Sequence, residues 1–307
     1  MHKTCISSER LQLIAMIRLF LGALALSLSW LHAAPLKVAT LHPLLSDLAR
    51  EIGKEHVEVI DLVGPNGDPH SFQPTPEDLA EAQGARLYLV SGMGLEDYLP
   101  KLRGIVASAG GADLIDVGAT LPALDQEDET DHDHQHHTVD PHWWHSVNLF
   151  QRAAGVLAEA FASADPEQAA EYRKNATSYR DELGKLERWA KREIAKIPRA
   201  NRHLATAHAA FNYFCNDFGF EPLPIQGINH EQMPDPRELA ILINSLKKSR
   251  VMAIFPEKES NPKILQTLTN DTGIKLADPL IADGRGVKNY EEMFRHNVGV
   301  IVKALAP

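Results

Sequence analysis

The chain has 307 residues, of which 44% are hydrophobic and 23% charged, and its formal net charge is −10. This composition excludes a mostly disordered chain and is typical of a globular protein with one large domain or two of ordinary size. The negative charge argues against nucleic acid as a partner and is compatible with attracting cations.

The N-terminus has the pattern of an export signal. Lys3, Arg10 and Arg18 precede an apolar run at 19–31, and Ala33 and Ala34 follow it as small residues suited to cleavage. The run is too short for a permanent membrane span. We therefore expect residues 1–33 to be a signal peptide, and both Met1 and Met16 fit as its start.

Cysteine usage is sparse. Cys5 lies in the expected signal, so Cys215 has no partner for an internal disulfide. The apolar run does not end in a cysteine that could carry a lipid. These features favour a soluble bacterial protein that is free in the periplasm.

Strand and helix patterns alternate after the signal. Strands are predicted at 36–40, 57–62 and 87–90, and helices at 44–52, 76–83 and 147–161, with Thr75 as the N-cap of the second. Alternation of this kind indicates a parallel sheet covered by helices. We expect an N-terminal α/β lobe over residues 35–160.

Residues 125–140 interrupt this lobe. The stretch DQEDETDHDHQHHTVD has no apolar periodicity, so we predict a flexible surface loop. It contains His132, His134, His136 and His137 among acidic residues, a mixture that binds divalent metals weakly because ordering a loop costs entropy. A role in delivering or sensing metal and a plain solvated loop both remain open.

A long helix is predicted over residues 166–197. Asp165 is a suitable N-cap, Pro166 fits the first helical position and Pro198 ends the run. At 1.5 Å per residue such a helix is roughly 48 Å long, which favours a rigid link over 161–199 between two lobes. A coiled coil is less favoured because the chain has one such segment. The apolar stripe of this helix consists of Tyr172, Ala176, Tyr179, Leu183, Leu186, Ala190, Ile194 and Ile197.

The alternation resumes over residues 200–307. Strands are predicted at 203–207, 251–255 and 274–277, and helices at 209–218, 237–248, 261–272 and 290–305. The predicted fold is therefore two α/β lobes with parallel sheets, joined by one long rigid helix. A ligand is expected in the cleft between the lobes, where strand ends face each other.

Four side chains in this arrangement form a candidate metal site. His70 and His142 each end an Asp-Pro-His sequence, in which proline restricts the backbone before the histidine. His208 follows a predicted strand, and Asp278 precedes Pro279 after another. Three imidazoles and a carboxylate are a suitable tetrahedral set for zinc, but spacing alone supports each position only weakly.

Several segments resemble the substrate-binding proteins of bacterial zinc and manganese ABC importers, the cluster A-I metal-binding family. They are VGPNGDPHSFQPTPEDL (63–79), DPHWWHSV (140–147), AHAAFNYF (207–214), IFPEKESNP (254–262) and ADPLIADG (277–284). The resemblance implies two lobes joined by a rigid helix, and an ABC permease of the inner membrane as partner.

Carried over by motif, the family's metal ligands fall on His70, His142, His208 and Asp278. Manganese-binding relatives have glutamate where this chain has His208, so the resemblance implies zinc, which prefers nitrogen more than manganese does. An acidic, His-rich loop is also typical of the zinc branch. Asp283 is an alternative to Asp278.

Three further histidines stay open. His145 departs from the family pattern at Trp-Trp-His, and is a group near the ligands, an extra ligand or a polar residue at a helix start. His42 follows the first strand and His230 lies in a turn, and each could orient ligands, gate the cleft or simply make local bonds.

The sequence thus predicts a periplasmic receptor that carries Zn²⁺ as its ligand and is not an enzyme, since four protein ligands leave no position for a reactive water. We expect a monomer, with a periplasmic zinc chaperone as a possible further partner. The alternatives are a manganese receptor of the same family, a zinc hydrolase, for which no HExxH motif is present, and an adhesin.

Overall fold

The computed structural model describes residues 34–126, 138–227, 235–257 and 262–307. The elements of the N-terminal part are β1 Leu36–Thr40, α1 Pro43–Gly53, β2 Val57–Asp61, α2 Pro76–Glu81, β3 Leu87–Val90, α3 Leu99–Ala109 and β4 Asp113–Asp116. The strands form a parallel sheet in the order β2-β1-β3-β4, as the alternation of strands and helices predicted. In its central pairing Val38 of β1 lies opposite Val59 of β2.

A short antiparallel pair follows, formed by β5 (Asp125–Gln126) and β6 (Thr138–Val139). Beyond it the Asp140 amide donates to the Leu124 carbonyl at 3.0 Å. The Tyr213 hydroxyl also links the two chain ends, since it accepts from the Leu124 amide and donates to the Asp140 carbonyl, both at 3.0 Å. The chain therefore enters and leaves the segment 127–137 at one anchored point.

The long helix is present but shorter than predicted. α4 (Val147–Ala164) is followed by a 3-10 turn, Pro166–Gln168, and then by α5 (Ala169–Ile194). Its 26 residues correspond to about 39 Å. The buried side chains of α5 are those of the predicted stripe: Tyr172, Ala176, Tyr179, Leu183, Leu186, Ala190 and Ile194.

The elements of the C-terminal part are β7 His203–Thr206, α6 Asn212–Phe218, β8 Glu221–Pro222, α7 Pro236–Lys248, β9 Ala253–Phe255, α8 Pro262–Thr272, β10 Lys275–Leu276 and α9 Tyr290–Leu305. Its strands form a second parallel sheet in the order β10-β9-β7-β8. A bridge between Glu257 and Leu280 continues this parallel pairing beyond the strands.

Helix α5 packs against α1 and α4 of the N-terminal part and against α9 of the C-terminal part. Each buried leucine or isoleucine side chain of its stripe stabilises the fold by about 1.5–3 kcal/mol. Exposed ion pairs such as Lys191–Glu187, 2.6 Å apart, contribute only about 0.3–0.5 kcal/mol. Apolar packing on both parts therefore holds the helix in place, and residues Leu36–Pro307 form one unit.

Helix α3 and strand β4 of the N-terminal part were not predicted. Helix α3 contains Pro100 and Gly104, and Gly110 and Gly111 separate it from β4. These residues weaken the local pattern from which helices and strands are predicted. Within the described ranges, no helix has both the length and the apolar character needed to cross a membrane.

Candidate metal centre

His70 lies in the loop between β2 and α2. The carboxylate of Asp68 turns back on this loop, and its Oδ1 accepts the backbone N–H of His70 at 2.9 Å. Pro69, between them, has a fixed φ and restricts the residue before it. The first Asp-Pro-His sequence thus forms a local turn that presents the imidazole.

His142 ends the second Asp-Pro-His sequence, and the same turn recurs. Asp140 Oδ1 accepts the backbone N–H of His142 at 2.9 Å and also faces its ring Nδ1 at 2.8 Å. Both side chains are fully buried. Because Nδ1 carries the proton toward the carboxylate, Nε2 is left with a lone pair for a cation.

His208 follows β7 and is oriented by a residue distant in sequence. Glu257, just beyond β9, accepts the backbone N–H of His208 through Oε1 at 3.2 Å and faces its Nδ1 through Oε2 at 2.6 Å. The pair is buried. As at His142, the carboxylate fixes the proton on Nδ1, which leaves the lone pair on Nε2.

The three imidazoles converge. His142 Nε2 lies 3.2 Å from His70 Nε2 and 3.3 Å from His208 Nε2. Among the described residues these histidines form a group whose potential ligand atoms all lie within 4.8 Å of one another. Ligands at 2.0–2.1 Å in a tetrahedron around one ion are about 3.3 Å apart, so the spacing suits a shared metal ion.

The predicted fourth ligand, Asp278, does not lie with these histidines. Its side chain is 57% exposed and its Oδ2 pairs with Lys303 Nζ at 2.7 Å, a contact that lowers the pKa of the carboxyl group. Asp278 comes only two residues after the end of β10, on the outer edge of the sheet. The structure therefore does not bring Asp278 together with the three histidines.

Asp283 takes the place beside the histidines. It is 4% exposed, and its Oδ1 lies 3.6 Å from His70 Nε2 without a hydrogen-bond partner among the described residues. Burial alone would raise the pKa of Asp283, but the imidazoles of His70, His208 and His142 hold it well below the usual value. Burial of an ionised carboxylate is costly unless positive charge or hydrogen bonds compensate it, so this position favours a cation beside the histidines.

The imidazoles differ in their affinity for protons. Burial lowers the pKa of His142, although the Asp140 carboxylate acts in the opposite direction. Burial also acts to lower the pKa of His208, but the Glu257 carboxylate outweighs it and the pKa is raised. His208 therefore holds a competing proton to a higher pH than His142 does.

Two other candidate histidines are buried and bonded or packed locally. Nδ1 of His42 accepts the Leu44 backbone N–H at 3.1 Å and caps α1. His145 packs on Phe211, with ring centroids 4.3 Å apart. Burial lowers the pKa of His42 and His145 to about 3, so both are neutral at physiological pH.

The remaining predicted histidines lie outside the described residues. They are His230 and the four in the acidic loop, His132, His134, His136 and His137.

Two functional groups were missed from the sequence. Asp140 had a signal, since it repeats the Asp-Pro-His pattern of Asp68. Glu257 lies in the family-like segment 254–262, but no local pattern connected it to His208, which is 49 residues away along the chain.

Comparison with known families decides where the chain stands. Residues 38–304 match the family model described as "Zinc-uptake complex component A periplasmic". The chain belongs to this family. It is therefore a metal-binding substrate-binding protein of the ABC-importer type, which works with a membrane permease.

Relatives in the family are named for different metals. The manganese-binding lipoprotein MntA of Bacillus subtilis is 33% identical over 275 residues, 85% of this chain and 87% of that protein. The periplasmic zinc-binding protein TroA of Treponema pallidum has a similar structure, with a TM-score of 0.79 and 26% identity over 90% of this chain and all of that one.

A third relative carries a second role. The laminin-binding protein Lmb of Streptococcus agalactiae is described as having adhesin and metal-transporting activity. It has a TM-score of 0.77 and 26% identity, and the match covers 88% of this chain and 99% of that one. The structural similarity to TroA confirms the two-lobed fold with its long helix, and the similarity to MntA is one of sequence.

Proposed function

We propose that this family member captures Zn²⁺ between its two lobes, through His70, His142, His208 and Asp283, and delivers it to an ABC permease. The observation that carries this proposal is the convergence of three Nε2 atoms, two of them oriented by buried carboxylates on Nδ1. With the Asp283 carboxylate beside them, these groups make a closed donor set.

Zinc is favoured because the donors are mostly nitrogen. Zn²⁺ binds a given nitrogen site more tightly than Mn²⁺ does, and manganese prefers carboxylates and water. His208, which is fully buried, supplies the third nitrogen. His208 is therefore the residue on which the choice of metal rests.

Manganese is the second candidate, since the relative MntA is named manganese-binding. The two candidates are separated by competitive titration of metal-free protein with Zn²⁺ and Mn²⁺. We expect one tight Zn²⁺ site per chain that Mn²⁺ does not displace. Equal or tighter binding of Mn²⁺ would transfer the proposal to manganese.

A His208→Glu variant tests the reason for this choice. Replacing a nitrogen donor by an oxygen donor should weaken Zn²⁺ binding more than Mn²⁺ binding. Asp278→Asn is the matched control, because it also alters a predicted ligand but lies on the surface. An unchanged ratio of zinc to manganese affinity in His208→Glu would contradict the assignment.

The acidic loop is proposed as a separate, weak metal site. Its support is sequence alone: His132, His134, His136 and His137 alternate with acidic residues. Deletion of residues 127–137 should remove weak zinc binding and leave the tight site intact. Loss of the tight site in that variant would place the main ligands in the loop.

The cellular setting follows from the same proposal. Residues 1–33 would direct export and be removed, and the mature protein would act as a periplasmic monomer with lobes at 35–160 and 200–307 around the helix at 161–199. A zinc chaperone of the periplasm would be a further partner. Cell fractionation that finds the mature chain free of membranes after salt washing is the expected result.

A further inference from the structure

The segment Ala282–Gly286 of the C-terminal part is bound to the N-terminal part at almost every residue. The Ala282 carbonyl accepts the Trp144 Nε1–H at 2.7 Å, and the Gly286 amide donates to the Pro65 carbonyl at 2.9 Å. Between them lie Asp283, beside His70, and Arg285, whose Nη2 is 2.7 Å from Asp68 Oδ2. We call residues 282–286 the clasp.

Close backbone approach makes the clasp possible. Gly284 has a φ of +76°, and a Cβ at this position would lie 2.5 Å from the Leu44 side chain of α1. Gly286 has a φ of +70°, which also favours glycine. At Gly284 the clasp therefore lies directly on the N-terminal part, without room for a side chain.

The Arg285–Asp68 ion pair links the clasp to a metal-binding loop. The side chains are 14% and 27% exposed, so the pair is partly withdrawn from water and still accessible to ions. Asp68 Oδ1 holds the His70 backbone N–H while Oδ2 faces Arg285. One carboxylate thus joins the clasp that carries Asp283 to the loop that carries His70.

We propose that the clasp is a latch across the metal cleft, and that the Arg285–Asp68 ion pair sets how fast bound metal leaves. This inference rests on the proposed function, because it takes the ion to be held by His70 and Asp283 together. Metal can leave only when Asp283 separates from the histidines, and Arg285, two residues further on, resists that separation. Arg285 and Asp68 are positioning residues and do not touch the ion.

Loss of the ion pair should act mainly on dissociation. Removing one partner of a close charge pair typically changes the off-rate more than the on-rate. We expect Arg285→Met to release Zn²⁺ roughly tenfold faster than the wild type, with little change in association. Asp68→Asn should have a similar effect, because asparagine keeps an oxygen for the His70 amide and loses only the charge.

The experiment is stopped-flow release of Zn²⁺ from loaded full-length mature protein into excess chelator. Wild type is compared with Arg285→Met, Asp68→Asn and the double variant, which should release no faster than either single variant because the two act on one contact. Arg285→Lys should restore part of the slow release. Arg173→Met is the matched control, since Arg173 pairs with Glu159 on the surface, both more than half exposed.

Ionic strength gives a reading that a purely structural role would not change. Release from the wild type should speed up with added salt because screening weakens the pair, whereas release from Arg285→Met should respond less. If Arg285→Met does not fold, the Asp68→Asn rate and its salt dependence decide.

The two proposals fail in different ways. Wild-type rates in Arg285→Met and Asp68→Asn, with stoichiometric zinc in every protein, would overturn the latch and leave the proposed function standing. Absence of a tight zinc site in the wild type would overturn the proposed function itself. Faster release in Arg173→Met as well would show a general loss of stability and would also contradict the latch.

Discussion

Glu257 Oε2 lies 2.6 Å from Nδ1 of His208, and neither side chain is exposed by more than a few per cent. The carboxylate raises the pKa of the imidazole and aims its Nε2 at the other two histidines. One buried glutamate therefore governs both the direction of the Nε2 atom of His208 and the pH range in which this imidazole is neutral.

Replacing this carboxylate should weaken metal binding without removing the ligand. Glu257→Gln keeps the size of the side chain and loses its charge, and partners of this kind typically contribute roughly 10–100-fold to metal affinity. We expect a loss of that order in competitive zinc titration. Glu221→Gln is the control, because Glu221 pairs with His203 at the protein surface. Equal affinities in the two variants would contradict the role of Glu257.

The two aspartates five residues apart should behave in opposite ways. If the proposed site is correct, Asp283→Asn should lower zinc affinity by more than the roughly tenfold loss typical of an outer partner, because it alters a proposed direct ligand. Asp278→Asn should bind as the wild type does, since Asp278 pairs with Lys303 on the surface. Isothermal titration with both variants checks this, and weaker binding in Asp278→Asn alone would restore the original prediction.

Zinc affinity should fall as the pH is lowered. An imidazole must be neutral to bind, and the raised pKa of His208 means that protons compete there first as the solution becomes more acidic. Titrations between about pH 8 and pH 5 should show this decline. In Glu257→Gln the pKa of His208 is no longer raised, so the decline should begin at a lower pH. A decline at the same pH in both proteins would exclude His208 as its cause.

Asp47 should make the metal-free protein less stable as the pH rises. Burial raises the pKa of this carboxyl group from 3.8 to about 6, although the Tyr290 amide donates to it at 2.8 Å. A group with a raised pKa stabilises the fold fully below pH 3.8, and this contribution is lost as the pH passes through about 6. Two pKa units correspond to about 3 kcal/mol.

Urea unfolding at several pH values tests this prediction. Asp47→Asn keeps an acceptor for the Tyr290 amide and removes the titrating group, so its free energy of unfolding should change less over this pH window than that of the wild type. Asp181→Asn, on the exposed face of α5, is the control. The same pH dependence in Asp47→Asn and wild type would show that Asp47 does not titrate as described.

Local patterns predicted the elements that depend on neighbouring residues. The apolar stripe of α5 and the first residue of α9 follow from spacing and from the N-cap Asn289, which are properties of a few consecutive residues. Helix α3 was missed because its proline and glycine obscure the same kind of pattern. The prediction of the fold therefore succeeded where local propensity and tertiary packing agree.

The site was less accessible to sequence reasoning. The family resemblance singled out His70, His142 and His208, and the structure brings them together. Both Asp278 and Asp283 follow an alanine after a predicted strand, so local pattern could not separate them. The bridge between Leu280 and Glu257 shows that the chain continues beside the end of β9 before it reaches the histidines, and local sequence does not show this pairing.

The contacts that link the residues on either side of segment 127–137 have a practical consequence. The pairing of β5 with β6 and the Tyr213 hydroxyl hold the two ends of this segment together. A change in the length of the segment should therefore leave Asp140 in place, and with it His142. Insertions at anchored surface points of this kind cost little loop-closure entropy. A fluorescent reporter could therefore be inserted between residues 126 and 138 to follow metal uptake without displacing the ligand.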